Sequence, residues 1–190
     1  IVLNEDTSKH IVNVLRMQAG EQLQLTDGKG NLITAAIKEA HKKHCSVTVT
    51  DYQLIALHLR HITIAISLIK NASRFEWFLE KATEIGVTEI IPLICERTEK
   101  TALRFDRMKN ILVSAMLQSQ QCWLPVLHEP TKFNELIKTS AHQQKFIAHC
   151  MDDAKRSLSD LNNESLSSKV ILIGPEGDFT AGEIELALQN

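Results

Sequence analysis

The chain has 190 residues, 44% of them apolar, enough to bury a core and to divide into one medium and one small domain. Its formal net charge of −2 gives no overall attraction for a polyanion, so any nucleic-acid contact must come from local clusters of Lys and Arg. The longest apolar run, around Ile62 to Ile69, is broken by Thr63 and Ser67 and falls well short of the ~20 residues of a membrane span, so the chain reads as soluble with no membrane partner.

Neither a basic leader nor a small-residue cleavage pattern follows Ile1, so no targeting peptide is expected. Cys45, Cys95, Cys122 and Cys150 lie far apart and form no Cys-x-x-Cys pair, which reads as reduced thiols in a cytoplasmic protein.

In chain order, residues 8–17 place Ile11, Val14 and Leu15 on one face of a short helix. The alternation Gln22-Leu23-Gln24-Leu25-Thr26 ahead of Asp27-Gly28-Lys29-Gly30 predicts a hairpin, and Ser46-Val47-Thr48-Val49-Thr50 extends the strand pattern. Residues 1–57 therefore read as a small β-rich domain. From residue 60 to the end the pattern becomes α/β, with apolar runs at 62–68, 89–94, 146–150 and 170–173. Such runs suit strands of a parallel sheet buried on both faces.

The helices between them are also marked. Ser73-Arg74-Phe75-Glu76 has the form of a capping box, and Phe75, Phe78, Leu79, Ala82 and Ile85 repeat at helical spacing until Gly86. A second helix is expected over about 106–121 with Met108, Ile111, Leu112 and Ala115 inward, leaving Met116 and Leu117 as extra apolar residues on the exposed side. A third is expected over 132–139 with Phe133, Leu136 and Ile137 inward, and 162–169 reads as a polar surface loop.

The most informative stretch is 170–180, where a buried strand ends at Ile173-Gly174 and a helix opens with the capping box Thr180-Ala181-Gly182-Glu183. A loop at the carboxyl end of a parallel strand is where open α/β sheets bind ligands. Gly174 and Gly177 let the backbone approach a ligand, and any left-handed backbone there would also favour glycine; Pro175 restricts the turn. An ordinary strand-to-helix turn has the same composition. The loop has neither Walker nor dinucleotide-fingerprint spacing, which counts against nucleoside triphosphates and nicotinamide cofactors. Glu176 could serve as a general base, an orienting group or a loop acid bonded to backbone, and sequence does not separate these.

Ile-Gly-Pro-Glu-Gly-Asp-Phe-Thr at 173–180, followed by Glu183-Ile184, resembles the cofactor loop of the RsmE-type family of SPOUT-class uridine N3-methyltransferases. The likeness covers nearly the whole chain. It includes His10-Ile11 with Val14-Leu15-Arg16-Met17, Arg74-Phe75-Glu76-Trp77, Lys81-Ala82-Thr83-Glu84, Ile91-Pro92, Cys95-Glu96-Arg97-Thr98-Glu99 and the run from Ala115 through Leu124-Pro125.

The resemblance implies a PUA-like β-barrel RNA-binding domain at 1–57 and a SPOUT-type methyltransferase domain at 60–190, whose complete family fold carries a trefoil knot. It further implies a homodimer and S-adenosylmethionine as cofactor. The substrate would be ring N3 of a uridine in small-subunit (16S) ribosomal RNA, free or in the 30S particle. Carried over by position, Ile173, Gly174, Pro175, Glu176 and Gly177 line the cofactor, and Ala148 and His149 supply a second wall. Two departures stand out. Asp178 occupies a position that is glycine in many relatives, and the chain stops at Asn190 before the family's Arg-Leu-Arg-Thr-Glu-Thr-Ala-like stretch. The third wall of the site and the threaded end of the knot are therefore expected to be missing.

Lys70 and Arg74, at the carboxyl end of the first strand of the α/β domain, suit RNA phosphates, as do Arg16 and the run His41-Lys42-Lys43-His44; surface charge alone would look the same. His58-x-x-His61 and the His41 to Cys45 run do not make a zinc site, because four placed ligands are wanting, so no metal is expected. Trp77 and Phe179 could stack on a base but read first as core, and no Ser-His-Asp or Cys-His arrangement appears. The rival reading from another class is a non-enzymatic RNA-binding module whose α/β domain only dimerises.

Overall fold

The computed structural model describes residues 1–57, 60–151, 156–163 and 167–190. His58, and residues 164–166 of the expected surface loop, lie outside the described residues. The chain divides into two compact units, Ile1–Leu57 and His58–Asn190.

In the first unit, α1 (Glu5–Lys9) is capped by Asn4, whose side chain accepts the Thr7 N–H. It runs directly into a π-helical turn at His10–Val14, where the Leu15 N–H reaches back to His10 O at 2.9 Å. This wider winding breaks the 3.6-residue period. The single expected helix over 8–17 is therefore corrected: Ile11 is buried, whereas Val14 and Leu15 are exposed.

Strands β1 (Gln22–Thr26), β2 (Asn31–Glu39) and β3 (Ser46–Leu54) form an antiparallel sheet in that order. In the β1–β2 turn Asp27 Oδ1 accepts the Lys29 N–H at 2.8 Å, and Gly28 and Gly30 take φ values of 72° and 89° that side chains disfavour. Residues 1–3 lie antiparallel along β3, with Leu3 N–H on Cys45 O and Val47 N–H on Ile1 O, both at 2.9 Å. Ile11, Ala35, Ile37, Cys45 and Val47 make the core of this unit.

The second unit contains β4 (His61–Ser67), β5 (Glu89–Ile94), β6 (Val126–Leu127), β7 (Thr131–Lys132), β8 (Gln144–Ala148) and β9 (Ser168–Ile173). They form one sheet of order β6-β5-β4-β9-β8, with β7 also on β5, and every pairing is parallel. Its helices are α2 (Ala72–Glu84), α3 (Phe105–Gln118), α4 (Phe133–Thr139), α5 (Leu158–Leu161) and α6 (Ala181–Leu188). Because side chains alternate along a strand, Ile64, Ile66 and Ile90 pack with Phe75, Leu79 and Met108 of α2 and α3. Ala65 and Leu93 face the other way, onto Phe133 of α4 and Ile184 of α6. The sheet is thus covered on both faces, and each large apolar side chain buried there contributes about 1.5–3 kcal/mol.

Several local expectations shift. The cap of α2 is Asn71, which accepts the Ser73 N–H at 3.0 Å, so the capping box read at Ser73 lies inside the helix. At the other end Gly86 (φ 81°) and Val87 send their N–H groups back to Thr83 O and Ala82 O, closing a Schellman motif. Ile85 is the C-cap, has left the helical spacing and is 78% exposed rather than inward. On α3, Met116 is only 3% exposed, because positions 108, 112, 115 and 116 share one helical face; Leu117 is exposed as expected. Trp77 is 63% exposed, not core. Ser168 and Lys169 belong to β9, not to a surface loop, and Lys169 is buried with its ammonium on Asn162 Oδ1 at 2.6 Å.

Candidate active site

The carboxyl ends of β8, β9, β4 and β5 lie side by side. Ala148 and Ile66 both flank Ile173, and Ser67 pairs with Leu93. Four connections leave this edge, at 68–71, 95–99, 149–151 and 174–180, which makes it the ligand-binding edge of a parallel sheet.

The 174–180 loop is held from every neighbouring strand end. Asp178 N–H closes a turn onto Pro175 O at 2.9 Å. The Asp178 carboxylate accepts the Cys150 N–H and its own chain's Phe179 N–H, each at 2.8 Å, clamping this loop to the segment after β8. Burial opposes its ionisation, but those two amides, with His149 and Arg97, hold the carboxyl below its ordinary pKa. Glu176 Oε1 accepts the Lys70 N–H at 3.1 Å, a tie to the end of β4. Arg97 Nη1 donates to Gly177 O at 2.6 Å, a tie to the segment after β5.

Behind the loop, α6 starts with the expected capping box. Thr180 Oγ1 accepts the Glu183 N–H while Glu183 Oε2 accepts the Thr180 N–H. The other oxygen of Glu183 accepts the Glu96 N–H at 2.8 Å, so one buried carboxylate fixes both the helix start and the β5 connection. Phe179 is 2% exposed, its ring 5.4 Å from that of Phe133. It is therefore core and not a stacking platform.

The two glycines differ. A Cβ on Gly174 would lie 3.0 and 3.1 Å from Phe179 ring carbons, so a side chain there would require the buried Phe179 ring to give way. A Cβ on Gly177 would touch only the Arg97 side chain, Cδ at 3.4 Å and Cβ at 3.8 Å, and Gly177 does not take a left-handed backbone. The left-handed residue is Asp178, at φ 63°. Asp is among the side chains that tolerate that backbone best.

Of the remaining candidates, Ala148 is exposed at the end of β8, and His149 Nδ1 is buried without a hydrogen-bond partner among the described residues. Ile173 is half-buried and Pro175 buried. The Lys70 ammonium pairs with Glu99 Oε2 at 2.8 Å, and Arg74 is exposed on the first turn of α2. These two share the ligand edge. Arg16 belongs to the first unit, where it is exposed with φ 57°. Burial, then Glu183, pushes the Cys95 thiol up to about 12, which removes it as a nucleophile.

Sequence reasoning passed over the bracing roles of Arg97 and Asp178, and read Glu183 as a capping-box residue without its bond to the Glu96 N–H. Arg97 lies in a stretch already quoted for its likeness to the family. Nothing local marked it as a partner of Gly177.

A parallel sheet covered on both faces, with a braced backbone loop at its carboxyl edge, defines an α/β ligand-binding domain. Residues 57–190 match the RNA methyltransferase domain family, and residues 3–50 match the RNA methyltransferase PUA domain. The chain is 29% identical over 184 residues to "Ribosomal RNA small subunit methyltransferase E" of Synechocystis sp., covering 94% of this chain and 60% of that relative's length. A probable rRNA-methyltransferase from Porphyromonas gingivalis superimposes with a TM-score of 0.90 at 37% identity, covering 99% of this chain and 80% of that one. The ribosomal RNA small subunit methyltransferase E from Neisseria gonorrhoeae, bound to S-adenosyl methionine, gives 0.86 at 27% identity, covering 100% and 79%. This chain belongs to the RNA methyltransferase family, as the loop at 173–180 implies.

Proposed function

We propose that this chain carries the S-adenosylmethionine-dependent methylation of ring N3 of a uridine in small-subunit (16S) ribosomal RNA. The 173–177 loop, Ala148 and His149 hold the cofactor. The observation that carries this reading is the buried Nδ1 of His149, which has no hydrogen-bond partner among the described residues and lies beside a loop braced by Glu176, Arg97 and Asp178. A buried polar group without a partner costs about 1–3 kcal/mol, which a bound adenosine or amino-acid moiety would recover. The cofactor bound to the Neisseria gonorrhoeae relative supports the same choice.

When bound, S-adenosylmethionine supplies a methyl group on positively charged sulfur. The chain's contribution is alignment, which in the best intramolecular models is worth about 7–11 kcal/mol. Asp178, Arg97, Glu183 and Glu176 provide it by fixing the loop to three neighbouring segments. Glu176 acts as a brace, since its Oε1 already accepts the Lys70 amide. A cleft lined by Leu68, Phe75 and Met108, with Lys100 and Arg104 among its walls, opens beside Lys70 and suits a splayed base. Arg74 from this unit and Arg16 from the first are assigned to phosphates. The protein acts as a cytoplasmic homodimer on rRNA or the 30S particle, with exposed Val113 and Leu117 of α3 contributing apolar dimer contacts. Among the described residues no helix is long and apolar enough to cross a membrane.

The test is tritiated methyl transfer by the full-length gene product to small-subunit RNA and to 30S particles, with the product nucleoside identified by mass spectrometry. Label on N3 of uridine is expected. Label on ribose or another base overturns the assignment. Gly177→Val should fold, because only the flexible Arg97 side chain must give way, yet lose transfer; full activity in that variant would move the site elsewhere. Arg74→Ala should weaken RNA binding and spare the cofactor.

A further inference from the structure

The opposite edge of the parallel sheet carries a second polar assembly that methyl transfer does not use. His61 opens β4, Glu89 opens β5, and His142 stands just before β8, so three segments deliver side chains to the amino ends of the strands. One donor atom of each of these residues lies within 4.8 Å of a donor atom of each of the other two. His61 Nε2 is 3.2 Å from Glu89 Oε1. Two ligands of one tetrahedral zinc, each bonded at about 2.0–2.1 Å, sit about 3.3 Å apart, so this pair already has the separation a shared ion requires.

The surroundings suit a metal ligand set. His142 Nδ1 is 2.9 Å from Ser140 Oγ, which fixes the ring and presents Nε2 towards the cluster, now on Thr63 Oγ1 at 2.9 Å. The second Glu89 oxygen is occupied by His128 Nε2 at 3.2 Å, an outer partner that orients the carboxylate. Metal-bound imidazoles and carboxylates are commonly oriented by such outer hydrogen bonds. Lys145 stands near His142. The Lys145 ammonium itself is engaged by Asn190 O at 3.0 Å. His61 and Glu89 keep 37% and 24% of their side-chain surface, which leaves the ion a path from solvent.

We propose that His61, Glu89 and His142 form a site for a divalent first-row transition metal, zinc above all, that pins together the amino ends of β4, β5 and β8. Two imidazoles and one carboxylate leave a fourth position for water. The ion takes the place of the direct His61–Glu89 and His142–Thr63 contacts, and it stands at the edge away from the 174–180 loop, so it is independent of the methyl-transfer reading.

The experiment titrates the chelator-treated full-length protein with Zn²⁺ by calorimetry and with Co²⁺ by visible absorption. One equivalent per chain, with the strong d–d absorption of a four- or five-coordinate site, is expected, and the melting temperature rises with Zn²⁺ because only the folded chain holds the site. His142→Ala and Glu89→Gln each weaken binding by at least about 10-fold, and Ser140→Ala weakens it by up to about 10-fold. The isosteric Glu89→Gln carries the test should His142→Ala fail to fold. His41→Ala with His44→Ala, a stacked pair in the first unit, leaves binding unchanged. No stoichiometric binding, unchanged affinity in Glu89→Gln, or loss in the His41/His44 variant overturns the proposal.

Discussion

The two edges of the parallel sheet are built on opposite plans. At the carboxyl edge, side chains hold backbone in place: Asp178 on Cys150, Arg97 on Gly177, Glu176 on Lys70. At the amino edge the side chains face one another, as His61, Glu89, His128 and His142 do, and the backbone only delivers them. A backbone site needs tight packing behind it to be rigid. A side-chain site needs only strand ends in the right order.

If that contrast holds, packing damage hurts the carboxyl edge most. Phe179→Ala removes a ring buried against Phe133 beneath Gly174 and should cost about 3–5 kcal/mol in urea unfolding, with cofactor binding lost in calorimetry. At the amino edge Thr63→Val, which strips His142 Nε2 of its partner, should cost about 1–3 kcal/mol and leave cofactor binding intact. Equal loss of cofactor binding in both would erase the distinction.

Asp178 sharpens it further, since it combines a left-handed backbone with two amide bonds. Asp178→Ala keeps the unfavourable φ and loses the bonds, and should cost roughly 1–3 kcal/mol. Asp178→Gly relieves the backbone and should cost less. Thermal melts that rank the two in reverse would place the value of Asp178 elsewhere.

Acid should separate the edges. The folded pKa of Asp178 is depressed, so its stabilisation is present above the ordinary carboxyl pKa of about 3.9 and is lost as pH falls from there through the folded value. The folded pKa of His142 is also depressed, but here the unfolded chain takes up the proton first. Stability tied to neutral His142 is therefore present above about 6.5 and declines as pH falls from there towards the folded value. Melting temperature against pH should lose its upper step in His142→Asn and its lower step in Asp178→Asn.

The smallest effect is chemical. Cys150, exposed on the carboxyl edge, should react with iodoacetamide at neutral pH while Cys45, Cys95 and Cys122 stay protected in the folded protein. Mass spectrometry of the labelled peptides checks this, and rapid labelling of Cys95 would contradict its raised pKa of about 12.

By itself the sequence determined what depends on neighbours a few residues away. The Asp27 to Gly30 turn, the Thr180 capping box and the alternation of apolar strands with amphipathic helices are local, and the 173–180 loop could be recognised because its residues are contiguous. Where two local solutions compete, the sequence was ambiguous: Asn71 and Ser73 can each cap α2, and the fold uses Asn71. The π-helical turn that turns Leu15 outward has no sequence period to announce it. Only the tertiary structure decided which strand ends meet. Asp178 reaches Cys150 because β8 lies beside β9, and His61, Glu89 and His142 converge because β4 lies between β5 and β9 with β8 next in order. Strand order is set by burial of the whole sheet between its two helical layers, a sum over many weak contacts that no short segment carries.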